Sequence, residues 1–356
     1  MDLQRNDFSN WLKQIKDFND SFRRNSIPRI VITDASSSVT RSLIYRLIYD
    51  EVFGINQEVI INLYESSDKS TFLNSLIIEI TACAPHNLKE ISVSHDVSKV
   101  FKNADVIFSI GRARGYDFSK KEIISHDPFF EETVRTAKIH AEAIDRFAKK
   151  DVKVITIGNT EASIIHKYAK SIPVENITSL ALIFSRIAAA QVCLKLQRPC
   201  DEIKNIIPWG FVGSRFYPDF KFATFKDGTP VMAETKKAWL KNELPQIIRQ
   251  AIRDSRYTNG VSYALADHCK NLLRGTFNEE WTVMGVFSDG SYGVPAGMFF
   301  TFPVQCKNGT YEIVKDLPID EFYIKRQIKH LAELIHIEVK AAFSICHEIP
   351  NLVTSC

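Results

Sequence analysis

The chain has 356 residues and a mass of 40.6 kDa, with 45% hydrophobic and 24% charged residues. That length and composition exclude a peptide or wholesale disorder and suit two globular lobes. Lys and Arg number 45 against 42 for Asp and Glu, a net charge of +3. This balance excludes a nucleic-acid or membrane-surface binder that works through a basic face. The 7 cysteines (Cys83, Cys193, Cys200, Cys269, Cys306, Cys346 and Cys356) are odd in number and form no Cys-x-x-Cys pair. Neither a disulfide framework nor a zinc knuckle is expected. No apolar leader follows Met1, and the most apolar run, residues 177–190, is interrupted by Arg186 and too short for a bilayer. The expected compartment is the cytoplasm.

In chain order, residues 1–27 are polar with Phe8, Trp11, Leu12, Ile15, Phe18 and Phe22 at helical spacing, which predicts an N-terminal helical extension. Arg29–Thr33 is a β-rich run, Asp34–Ser38 has turn chemistry, and Leu43, Ile44, Leu47 and Ile48 mark a helix over Val39–Tyr49. Strands follow at Val59–Tyr64, Ile91–Ser94, Ala104–Ile110 and Val152–Ile157, the last closed by Gly158-Asn159. Helices fall around Ile77–Ile80 and over 131–150, where Lys149-Lys150 suits a helix C-terminus. Strands alternating with helices predict a doubly wound parallel α/β sheet over 28–178. Beyond it, Ile177–Leu196 reads as one apolar helix, residues 232–274 as two helices, and Trp281–Phe287, Gly297–Gln305 and Thr310–Val314 as antiparallel strands. Ile319–Phe343 reads as a long amphipathic helix, giving an α+β lobe over 179–345 and a tail over 346–356.

Several short motifs carry no chemistry of their own. His330, Glu333 and His336 share a helix but are too few for a closed metal site, so no metal is expected. Gly210–Ser214 does not place Ser between its glycines as a nucleophile elbow would, and no Walker-type Gly-Lys-Ser/Thr occurs. The cysteines lie mostly in apolar context and read as core residues.

Other pieces, in order and at compatible spacing, resemble the malate dehydrogenase family, cytoplasmic type, along residues 28–345. They are Glu51–Gly54, Phe101–Val106, Phe147–Ile155 with Gly158-Asn159, Trp209-Gly210, Tyr217–Asp219, Ser288–Pro295 and Phe302–Val304. The resemblance implies a Rossmann-like domain, NAD as cofactor, a homodimer, and hydride transfer between malate and nicotinamide. It is to a divergent branch of that family, one that departs at the defining sites. The family's dinucleotide turn, Gly-x-x-Gly-x-x-small, falls on Asp34, Ser37 and Thr40. Glycines there let the backbone turn and approach a pyrophosphate at a helix N-terminus. Side chains crowd that approach, and Asp34 opposes an anion by roughly 1 kcal/mol in water or about 4 kcal/mol at surface-like dielectric. Arg41 is available to neutralise Asp34. The same residues, Asp34–Ser38, also read as a helix cap.

By the same resemblance, Glu65 matches the carboxylate that binds the adenosine ribose. The proton-carrying histidine falls on Val212, its orienting aspartate on Phe184, and one carboxylate-clamping arginine on Leu182, with Arg186 one turn beyond. Arg112 and Arg114, after Gly111, could hold a substrate carboxylate or be solvated loop charges, and His126 stands near the place of a further loop arginine. Asn159 matches a residue between cofactor and substrate, and also reads as a turn residue. Losing a general base removes about 10²–10⁴ in rate. Three such losses at one site favour a catalytically inactive malate dehydrogenase-like protein with a degenerate NAD site, serving an unidentified protein partner or a structural role. The alternatives are an NAD-dependent malate dehydrogenase, or an oxidoreductase of another substrate using His126 or Asp127 as base in an apolar pocket of Leu182, Phe184 and Val212.

Overall fold

A computed structural model describes residues 27–50, 52–54, 56–65, 69–111, 128–199, 203–212, 215–254, 258–277, 280–315, 317–319 and 322–351. The expected N-terminal helix at 1–27 lies almost wholly outside them. From the N-terminus run β1 (Arg29–Ile32), α1 (Ser38–Tyr49), β2 (Val59–Tyr64), α2 (Ser70–Ala82), β3 (Leu88–Ser94), a single turn α3 (Val97–Val100) and β4 (Val106–Ser109). Next come α4 (Pro128–Phe147), β5 (Lys153–Thr156), α5 (Asn159–Tyr168), β6 (Ile177–Leu180) and α6 (Leu182–Leu196). The second half holds β7 (Ile207–Val212), β8 (Arg215–Asp219), α7 (Val231–Glu234), α8 (Leu244–Asp254), α9 (Thr258–Arg274), β9 (Thr282–Phe287), β10 (Phe299–Lys307), β11 (Thr310–Ile313) and α10 (Phe322–Glu348).

Nine strands make one sheet in the order β11-β10-β9-β6-β5-β4-β1-β2-β3. The stretch from β6 to β3 is parallel, and the chain reverses its winding between β1 and β4. Side-chain alternation explains why helices cover both faces. Ile30, Ile32, Val106, Phe108 and Ile155 face a core shared with α1 and α2. Val31, Ile107 and Val154 face the core under α4 and α5. The expected doubly wound sheet and antiparallel C-terminal strands are both present.

Two sequence expectations need correction. Residues 177–196 are not one helix, because Ile177–Leu180 is strand β6, fully buried and paired to β5 on one side and to β9 on the other. A short apolar run buried on both faces carries no period that separates strand from helix. The β6–β9 pairing carries the sheet across residue 178. The last helix also runs five residues beyond Phe343, to Glu348, and so enters the stretch expected to be tail.

A single lysine anchors that extension. Lys138 of α4 is 3% exposed and donates from Nζ to the carbonyls of Cys346 (3.2 Å) and Ile349 (2.6 Å). It thus satisfies acceptors left open at the end of α10. Val134, Ala137, Ile164, Ala342 and Ile345 pack around it. Lys138→Met keeps the volume and removes the donor. The expected loss is about 2 kcal/mol, measured as a lowered urea midpoint at unchanged m-value.

Candidate functional site

The turn between β1 and α1 is closed by its own chain. Asp34 adopts φ +49°, a left-handed conformation that Asp, with its short polar side chain, tolerates better than most non-glycine residues. The N–H of Ala35 donates to Tyr64 O (3.2 Å) and that of Ser37 to Asp34 O (3.0 Å). Glu65 Oε2 accepts the Ser36 N–H at 3.0 Å, while Lys69 Nζ reaches Ser36 Oγ. Ser37 is the helix cap: its Oγ accepts from the Thr40 N–H at 3.1 Å, and Thr40 Oγ1 donates back to Asp34 O. The capping role read for Asp34–Ser38 therefore rests on Ser37. Arg41 does not neutralise Asp34. It sits in the first turn of α1 and pairs with Glu79 of α2. The amides that would face a pyrophosphate are thus engaged internally, and these residues do not fit an NAD pyrophosphate without rearrangement.

Across the sheet, the first turn of α5 gathers residues of β4, β6, β7 and α10. Asn159 is 3% exposed; its Oδ1 accepts from Ser179 Oγ of β6 (2.6 Å), and its Nδ2 donates to Phe211 O of β7 (3.3 Å). Gly285 of β9 makes room for this, since a Cβ there would lie 1.8 Å from Ser179 Oγ and 2.6 Å from Asn159 Oδ1. Thr160 donates to Glu338 of α10. Glu161 is buried and accepts from Ser109 Oγ of β4 at 2.6 Å. Burial pushes its carboxyl up to about 7 and also raises that of Glu338. Sequence reasoning missed Glu161. Its only signal, an acidic residue in the first turn of a helix, is a common capping preference.

The positions expected to carry proton transfer are apolar or lie beyond description. Phe184 is buried, its ring 4.0 Å from that of Phe211 and 5.0 Å from that of Phe216. Leu182 lies apart from them, half-buried on a cleft of about 810 Å³ between α6 and α9. Arg186, on the same cleft, pairs with Asp267 of α9. Val212 ends β7 opposite Arg215, and its side chain is outside the described residues. So are Arg112, Arg114, His126 and Asp127. Among the described residues no group of three or more His, Cys, Asp or Glu converges as a metal site, and no helix is long and apolar enough to cross a membrane. Burial pushes the Cys269 thiol up, and that of Cys306 to about 12, which leaves both as unreactive core residues.

Glu161 makes stability depend on pH in a defined direction. Folded, it holds its proton to about pH 7, whereas its ordinary value is 4.5. Its contribution is fully present below pH 4.5 and is lost as pH rises through 7. Glu161→Gln keeps the shape and removes the titration. Relative to the parent, the variant is expected to gain roughly 3 kcal/mol between pH 5 and pH 8, as read by chemical denaturation at both values.

Comparison with known proteins agrees with this architecture. Residues 201–344 match the lactate/malate dehydrogenase alpha/beta C-terminal domain family. The chain is 31% identical over 331 residues to the cytoplasmic malate dehydrogenase of Beta vulgaris, covering 89% of this chain and 98% of that protein. Malate dehydrogenase from Naegleria fowleri superposes with a TM-score of 0.79 at 26% identity, over 91% of this chain and 100% of that one. Trichomonas vaginalis lactate dehydrogenase in complex with NADH and oxamate shares the fold, with a TM-score of 0.81 at 23% identity over 90% and 100% of the two chains. On sequence and fold together, the chain belongs to the malate dehydrogenase family.

Proposed function

We propose that this protein is a catalytically inactive member of the malate dehydrogenase family, with a dinucleotide turn closed against NAD. The observation that carries the reading is the Ser36 N–H held by Glu65 Oε2. One contact takes both a phosphate-facing amide and the carboxylate expected to hold the adenosine ribose. Opening the turn would break that charge-assisted bond and set Asp34 against the anion. Phe184, packed against Phe211 and Phe216, supports the same reading, because an aspartate's place is taken by a ring that neither orients nor stabilises an imidazole.

As a scaffold, the protein would act by association. We place it in the cytoplasm as a homodimer. The support is the similarity to a cytoplasmic relative and the open cleft beside α6, where Ile183, Ile187 and Ala189 line the wall and Leu194 of the same helix is 67% exposed. An unidentified protein partner would then use the outer surface.

Titration with NADH to millimolar concentration is expected to give neither heat nor a fluorescence change. Saturable binding in the micromolar range would overturn the closed turn, and malate oxidation at family-like rates would overturn inactivity. Val212→His with Phe184→Asp and Leu182→Arg is expected to stay inactive until Asp34→Gly and Ser37→Gly are added. Activity from the first three changes alone would show that the cofactor still binds.

A further inference from the structure

A small cavity of about 30 Å³ lies where the N-terminal turns of α4 and α5 meet the C-terminal ends of β4 and β5. Its walls are mainly apolar and include Phe130, Val134, Ile157, Ile164 and Phe211. Phe211 also belongs to the aromatic cluster around Phe184, so the cavity adjoins the place where the resemblance puts the substrate. The side-chain polar atoms on the wall come from Thr133, Thr160 and Glu161. Each has one character. Thr133 Oγ1 gives its proton to Phe129 O (2.9 Å), and Thr160 Oγ1 gives its own to Glu338, so both turn lone pairs to any further partner. Glu161, bonded to Ser109 Oγ and to the backbone of Ile157, is a carboxyl without a cationic partner among the described residues.

Above pH 7 the described side chains of the wall therefore offer a carboxylate, two hydroxyl acceptors and two phenyl rings, a set that favours a group which donates hydrogen bonds and carries positive charge. We propose that this cavity is a binding site for a small ammonium group, with Glu161 as its counter-ion. The volume admits roughly two water-sized groups, enough for an ammonium or methylammonium head. Gly111 leaves room beside the carboxyl, since a Cβ there would lie 3.8 Å from Glu161 Oε2 and 3.7 Å from Thr133 Cγ2. The N-terminus of α5 opposes a cation. Attraction must therefore come from the carboxylate and the rings, which makes Glu161 the discriminating residue. The inference rests on the reading above only in that apolar Leu182 stands where the resemblance puts an arginine that clamps a carboxylate.

Thermal denaturation of the full chain at pH 8 tests this, with methylammonium chloride against sodium chloride at matched ionic strength. Methylammonium is expected to raise the midpoint by roughly 3 °C at concentrations well above its dissociation constant. Glu161→Gln should abolish the rise. So should Gly111→Ala, whose methyl makes only ordinary contacts and keeps the variant folded if Glu161→Gln does not fold. An equal response to both salts, or a rise retained in either folded variant, overturns the proposal. NADH plays no part in this assay. Cofactor binding with a methylammonium response would sink only the closed turn, and the converse pair of results only the ammonium site.

Discussion

Three consecutive side chains at the start of α5 hold the architecture around the cleft. Asn159 joins β6 to β7, Thr160 reaches α10, and Glu161 reaches β4. Each contact is buried or nearly so, where an unmade hydrogen bond leaves its partner desolvated and unsatisfied. The turn therefore cannot shift by a fraction of an ångström without unsettling several elements together. That rigidity does not depend on the positions expected to do chemistry, Phe184 and Leu182, which are apolar in this chain. Packing alone is sufficient reason for such a turn to be kept.

The two regions differ from what the resemblance implies by different physics. At the β1–α1 turn the change is conformational and electrostatic: Asp34 takes a left-handed conformation, and the neighbouring amides find acceptors inside the chain. At the α5 end the change is steric and dielectric. Rings from Phe184, Phe211 and Phe216 fill the space, and in those apolar surroundings the Glu161 carboxyl holds its proton near neutral pH. A single restored side chain at either end leaves the other end unaltered.

Much of this was legible in the sequence, for reasons that residues make plain. Strands β1, β2, β4 and β5 announce themselves because a strand covered on both faces must be almost wholly apolar, as Ile30–Ile32 and Val106–Phe108 are. The serine-rich turn announced a helix cap, and Ser37 is that cap. Strand β6 was hidden because its apolar run flows into α6 with only Ala181 between them. The hairpin of β7 and β8 was hidden because Pro208 and Gly210 interrupt the alternation that marks a strand. The partner of Arg41 could not be read, since Glu79 comes close only once α2 packs against α1. Glu161 gave the weakest sign of all, because its character comes from what surrounds it after folding.

Strand β6 lies between two regimes, parallel to β5 and antiparallel to β9. Were the chain cut between α6 and β9, the first half would keep every parallel partner but present one flank of β6 bare. That flank is short and uncharged (Ile177–Leu180), so its N–H and C=O groups would be a template for the strands of other molecules. The second half thus works as an edge guard for the first, and a fragment truncated there would be expected to aggregate before it could be studied as a free domain.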